Sequence, residues 1–263
     1  MSRKILITSG KGGVGKTTIT AGLGMSLAKM GLSTVIIDAD MGLNNLDCIM
    51  GIENKVEFDL NDYLCGRCRL KQCLVPDKHF PNLYTLPVLD MAQKSQFLET
   101  FAELVDKLSK VFDYCLIDSP AGVEGNFKMA LEAVSEAIVV VTPHLTALRD
   151  ADKVLSLLDG AGVSVAGVAI NRLRGDLVAA KQMLSHEEIE GLLSRRVLAC
   201  IPESDLINIH SSFKFNRVLK SEESKAFSLM ADNLHNGKSD FVDYLSKYKG
   251  VFGVVRRALK RRA

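Results

Sequence analysis

The segment Gly10-Lys11-Gly12-Gly13-Val14-Gly15-Lys16-Thr17-Thr18 concentrates the residue types that hold a polyphosphate. It satisfies G-x-x-x-x-G-K-[ST] at Gly10, Gly15, Lys16 and Thr17. Glycines at 12, 13 and 15 permit a tight turn whose N–H groups converge on phosphate oxygens, so the backbone from Gly10 through Val14 to Gly15 forms a cradle. A helix opening near Lys16 adds the positive end of its dipole. Lys16 is expected at the β and γ phosphates, the Thr17 hydroxyl at Mg²⁺ and the Thr18 hydroxyl at the α phosphate. Two carboxylate segments complete the set. Asp38 closes the apolar run Thr34–Asp38, and Asp118 closes Tyr114–Asp118. An acid at such a strand end can hold Mg²⁺ directly or through water, and Asp38 and Asp118 are assigned to that shell. Asp40 follows in a loop with Gly42 and is expected to orient the attacking water. These residue types suit phosphoryl transfer from a nucleotide to water, with Lys16 and Asp40 as catalytic groups.

The elements that must position these residues are legible as alternating patterns. Short apolar runs at Lys4–Thr8, Thr34–Asp38, Leu83–Leu86, Tyr114–Asp118, Ala137–Thr142, Ser164–Asn171 and Val197–Ile201 read as strands. They show little polar alternation, as strands covered on both faces do. Helical stretches lie between them at Lys16–Met30, Gln96–Phe112, Leu148–Ala161, His186–Leu193 and Ala226–Leu234. The alternation predicts a doubly wound α/β fold with a mostly parallel sheet. The phosphate loop then falls after the first strand and before the first helix. Residues 1–246 are expected to form one such domain, with Gly237 ending its last helix.

Lys11 is a second lysine within the loop, and this pattern resembles the deviant Walker A motif of the ParA/MinD-type P-loop ATPases. In that family the equivalent lysine reaches across an ATP-dependent homodimer to the partner's nucleotide. Asp38-Ala39-Asp40-Met41-Gly42-Leu43-Asn44-Asn45-Leu46-Asp47 resembles switch I of the MinD branch, and Asp118-Ser119-Pro120-Ala121-Gly122-Val123-Glu124 its switch II. Arg149-Asp150-Ala151-Asp152 is similar to the segment that faces MinC and MinE proteins. The resemblance runs through nearly the whole chain. It implies an ATP hydrolase that places the division septum, and it places Asn171, Arg172, Pro202 and Glu203 near the adenine. A flagellar-number ATPase of the same branch and a ParA-type DNA-partitioning ATPase are the alternatives. The first is disfavoured because the first strand opens at Lys4. The second would need a basic body.

Composition supports the last distinction. The 263 residues are 47% hydrophobic and 24% charged, enough for a packed core, with a net charge of +2. Seven of the 33 bases follow Asp243, leaving 26 against 31 acids in the body. An acidic body does not suit nucleic acid. Residues 247–263 are set apart as a basic amphipathic tail. On a helical wheel Phe252, Val254, Val255, Ala258 and Leu259 take one side, and Arg256, Arg257, Lys260 and Arg261 the other. Such a helix suits the headgroup layer of an anionic membrane, as the resemblance also implies. No apolar run is long enough to span a bilayer, and no signal sequence is evident, so the expected location is the cytoplasm and the inner face of the cell membrane. The six cysteines are then expected as thiols or ligands, not disulfides. Cys65-x-x-Cys68, with Cys73 and His79, is thin for zinc without a second pair. Cys48, Cys115 and Cys200 are expected in the core, and no iron–sulfur cluster is expected.

Overall fold

A computed structural model describes residues 2–39, 45–87, 94–120, 126–205 and 222–248. Residues 40–44 of the first switch segment, Asp40 among them, 121–124 of the second and 249–263 of the tail therefore lie outside the described residues.

The strands are β1 (Arg3–Thr8), β2 (Thr34–Asp38), β3 (Val75–Pro76), β4 (Leu83–Leu86), β5 (Tyr114–Asp118), β6 (Glu136–Val141), β7 (Ser164–Leu173) and β8 (Val197–Pro202). The helices are α1 (Lys16–Lys29), α2 (Asn45–Met50), α3 (Leu60–Leu64), α4 (Leu70–Cys73), α5 (Lys94–Ser109), α6 (Asn126–Ala133), α7 (Leu145–Gly160), α8 (Gly175–Ala179), α9 (His186–Leu193) and α10 (Glu222–Asn236). A 3₁₀ turn follows at Ser246–Tyr248.

The strands form one sheet in the order β3-β4-β2-β5-β1-β6-β7-β8, parallel throughout except for β3 against β4. Residues along each strand alternate between two apolar layers, which is why the sequence shows no polar alternation. Ile5 and Ile7 of β1 face the layer built by α1, α2 and α10, while Leu6 faces the layer of α5, α6, α7 and α9. β1 lies between β5 and β6, and the chain returns to the sheet on both sides of it. The carboxyl end of β1 is thus a topological switch point, where open α/β sheets bind ligands.

α1 is buried almost all round, from Ile19 to Ala28. Two glycines make that possible. A Cβ on Gly22 would strike the ring of Phe227 in α10, and one on Gly24 would strike Ile36 in β2. Its C-terminal end is held by Asn82, whose side-chain amide donates to the carbonyls of Ala28 (2.9 Å) and Leu32 (3.0 Å). Gly237, with φ of +70°, ends α10. Asn233 then ties α10 to β8 and to the following segment. Its Nδ2 donates to Leu198 O (3.0 Å) and Asp240 O (2.9 Å), and its Oδ1 accepts from Asp240 N (3.0 Å).

Five short helices and β3 go beyond the sequence reading. α7 begins three residues before the expected Leu148, and α5 ends at Ser109 rather than Phe112. β7 continues past Asn171 to Leu173. Cys115 and Cys200 are buried as expected, but Cys48 is only half-buried, on the rim of α2.

Candidate functional site: the phosphate loop and its supports

Gly15 stands at the N-cap of α1 in the left-handed region, with φ of +97° and no side chain to satisfy the helix. Ile19 N makes the first intrahelical bond, to Gly15 O at 3.0 Å. The N–H groups of Lys16, Thr17 and Thr18 precede it and have no helical carbonyl to meet. No acidic residue occupies the first turn to compete for them. This helix end is built to receive an anion. Lys16, the first residue of the helix, is largely buried, at 8% exposure. Thr17 and Thr18 are half-buried beside it.

The loop is fixed from within and without. Ser9 Oγ donates to Lys11 O at 2.8 Å, and Gly13 takes φ of +76°. From outside, Asn171 Nδ2 donates to Val14 O at 2.8 Å. A Cβ on Gly15 would collide with that amide, so the glycine and the clamp require each other. A Cβ on Gly10 would collide with the backbone of Asp150, so the loop also bears directly on α7. Lys11, Gly12 and Gly13 stay exposed.

Asp38 and Asp118 sit opposite each other in the parallel register of β2 and β5. They are 3% and 2% exposed. Thr20, one turn into α1, links Asp118 to the start of the helix: its hydroxyl lies 2.9 Å from Lys16 O and 3.2 Å from Asp118 Oδ1. Ala39 N donates to Asp118 O at 3.0 Å, and Ser119 N donates to Ile7 O at 3.1 Å, which pins both strand ends at the mouth of β1. The structure therefore gathers Gly10 to Thr18, Asp38 and Asp118 at one end of the sheet. A hydroxyl at Thr17 and two buried carboxylates are the hard oxygen donors that Mg²⁺ takes, and they fit that ion.

Asn171, Arg172, Pro202 and Glu203 lie farther along the same end. Arg172 adopts φ of 59°, where the β7–β8 register breaks, and such a conformation in a non-glycine residue is strained. Asn171 Oδ1 accepts from Arg172 N at 3.0 Å. Glu203 N donates to Leu173 O at 3.0 Å, which holds the end of β8 against β7. An open cavity of about 660 Å³ runs from Lys11 and Gly13 past His144 to Arg172, Arg174 and Glu203. His144 and Arg174 had no distinguishing signal in the sequence. Arg174 is oriented by Asp176, with contacts of 2.6 and 3.2 Å.

Of the cysteines once weighed for zinc, Cys68 and Cys73 meet each other, while Cys65 faces Asn61 and Arg67. No group of three or more His, Cys, Asp or Glu able to hold a metal ion occurs among the described residues.

With this geometry in place, comparison with known proteins is direct. The profile of the CobQ/CobB/MinD/ParA nucleotide binding domain matches residues 5–214. The septum site-determining protein MinD of Synechocystis sp. is 38% identical over 263 aligned residues, covering 98% of this chain and 99% of that protein. Among solved structures, the MinC:MinD cell division protein complex of Aquifex aeolicus matches with a TM-score of 0.80 at 37% identity, covering 92% of this chain and 98% of that one. MinD of Pyrococcus horikoshii, solved with Mg-ADP, matches with a TM-score of 0.78 at 30% identity over 89% of this chain and 96% of that one. A phosphate cradle at the switch point, two carboxylates at its floor and similarity over nearly the full length agree: this chain belongs to the MinD branch of the CobQ/CobB/MinD/ParA nucleotide-binding family.

Proposed function

We propose that the chain is a cell-division ATPase that dimerises on ATP, attaches to the inner face of the cell membrane, and places the division septum by recruiting a MinC-like inhibitor. The single observation that carries the reading is a two-lysine phosphate loop at the sheet's switch point, beside paired acids at the ends of β2 and β5. The relatives support it: one is named for septum-site determination, and one was solved in complex with MinC.

In this reading the three leading N–H groups of α1 and the Lys16 ammonium bind the β and γ phosphates. Thr17, Asp38 and Asp118 hold Mg²⁺, which when bound neutralises charge on the phosphate oxygens. The Mg-ADP carried by the Pyrococcus relative is consistent with that donor set. Asp40 orients the water. Lys11, exposed at the mouth of the cavity, reaches the nucleotide of a second copy. Arg172, Pro202 and Glu203 hold the adenine, while Asn171 serves the site through its bond to the Val14 carbonyl. α7 presents Arg149 to Asp152 to MinC-like and MinE-like partners, and the contact of Gly10 with Asp150 gives that surface a direct path to the phosphates.

The residues after Gly250 supply the membrane contact. Each base beside an anionic leaflet contributes about 1 kcal/mol. One such tail binds weakly, whereas two tails on a dimer gain roughly 10²–10⁴ in avidity. Hydrolysis would return the protein to the cytoplasm.

Titration with Mg·ATP tests the loop. Lys16→Ala should abolish binding. Lys11→Ala should retain most of it and lose the hydrolysis stimulated by vesicles and partner. Normal stimulated turnover in Lys11→Ala would rule out the role assigned to that lysine across the dimer.

A further inference from the structure

We propose that Cys68 and Cys73 form a reversible dithiol–disulfide site that reacts with low-molecular-weight disulfides. Their sulfurs lie 3.3 Å apart, Cys68 just before the N-cap of α4 and Cys73 its last residue. A disulfide needs about 2.0 Å, an approach that side-chain rotation in this short turn can supply. The Cys73 thiol donates to Asp59 O at 3.0 Å, which leaves its sulfur free to accept from Cys68. The third thiol of the segment is turned away, as Cys65 faces Asn61 and Arg67. The reacting pair is therefore not the C-x-x-C spacing that the sequence offers.

Exposure sets the order of events. Cys68 is half-buried and Cys73 fully buried. Arg67 and Arg69 flank Cys68; Arg67 is paired with Asp62 at 3.0 Å, and the exposed Arg69 favours an anionic disulfide such as oxidised glutathione. Burial holds the Cys73 thiol protonated, which makes Cys68 the first nucleophile. The Cys68 thiolate attacks one sulfur of the small disulfide and expels the other as a thiolate. Cys73 then gives its proton to water, attacks the Cys68 sulfur and expels the second small thiolate. Two electrons pass from the cysteine pair to the small disulfide, which leaves as two thiols. The new bond removes the hydrogen bond to Asp59 O. That loss favours the dithiol, so reductant should reopen the site.

The location separates this chemistry from the nucleotide. Cys73 leads through Leu74 into β3, the edge strand, and β4, β2 and β5 stand between β3 and β1. Oxidation should leave nucleotide affinity unchanged.

The test uses the full chain incubated with oxidised glutathione, alkylated, cut with trypsin and read by mass spectrometry. Trypsin places Cys65, Cys68 and Cys73 on three separate fragments. The expected product joins residues 68–69 to residues 72–78, with two of the six thiols lost and both recovered by dithiothreitol. Cys65→Ser should form the same product. Cys73→Ser should stall with glutathione on Cys68. Should that variant fail to fold, Cys68→Ser provides the check, since its Cys73 should resist glutathione. A wild-type protein that pairs Cys68 with Cys65, accumulates the adduct, or keeps all its thiols overturns the proposal.

Discussion

Asn171 ties the end of β7 to the phosphate loop. The family resemblance sets it beside the adenine, yet its Nδ2 donates to the Val14 carbonyl in the phosphate loop. A clamp on the loop and a contact to the base make different predictions. Asn171→Ala should weaken ATP and inorganic triphosphate alike, by about tenfold or about 1.4 kcal/mol, as titration calorimetry would measure. A loss confined to ATP would instead identify a base contact. A second residue-level prediction concerns acid. Asp113 Oδ2 accepts from Ser33 Oγ (2.7 Å) and from Ser33 N (2.8 Å), and these bonds hold its carboxyl below the usual range. A carboxylate with a lowered folded pKa stabilises above its unfolded value, near ~3.9, and that contribution fades as pH falls through the folded value. The melting temperature of Ser33→Ala should thus lie below that of the wild type at neutral pH. The gap should narrow below about pH 4; a gap that widens in acid would contradict the assignment.

Among the elements, the contact of α1 with α10 fixes how the phosphate loop is presented. Phe227 is fully buried against Gly22. Phe227→Ala should cost about 3–5 kcal/mol in urea unfolding. Gly22→Ala should also destabilise, and adding Phe227→Leu should recover part of that loss by opening space for the methyl group. An additive double variant would show that the two sites do not share the contact. This layer of the fold was legible because its strands are apolar on both faces and α1 follows a glycine loop. The expected limits of β2, β4, β5 and α9 agree with those observed. What escaped has physical reasons. α3 and α4 span one turn or little more, too short for a helical period, and β3 is two residues with a proline. β7 runs on through the left-handed Arg172 because tertiary contacts, including the Asn171 clamp, impose a backbone that local preference resists. The loop and both strand-end acids could be read from spacing alone. The approach of α7 to Gly10 depends on two segments about 140 residues apart in sequence, and nothing in either announces it.

For the molecule as a whole, the account joins an acidic ATPase body to a basic apolar tail through nucleotide-driven pairing. The body continues to Tyr248, where the ring of Tyr248 and the carbonyl of Tyr244 close over Gly175. His186 Nδ1 lies 2.5 Å from Tyr244 Oη, which further fastens this segment to α9. Lys247 and Tyr248 thus stand at the carboxyl end of the sheet, beside Arg174 and Glu203. Removal of residues 250–263 should leave nucleotide binding intact and eliminate association with anionic vesicles, a result that flotation would register. The measurement that bears most directly on the central claim is the mass of the protein in solution, by light scattering, with Mg²⁺ and a slowly hydrolysed ATP analogue, repeated with ADP and then with vesicles of anionic lipid. The account predicts a dimer that binds vesicles with the analogue and a weakly bound monomer with ADP. A monomer in both nucleotides, or equal vesicle binding in both, would contradict it.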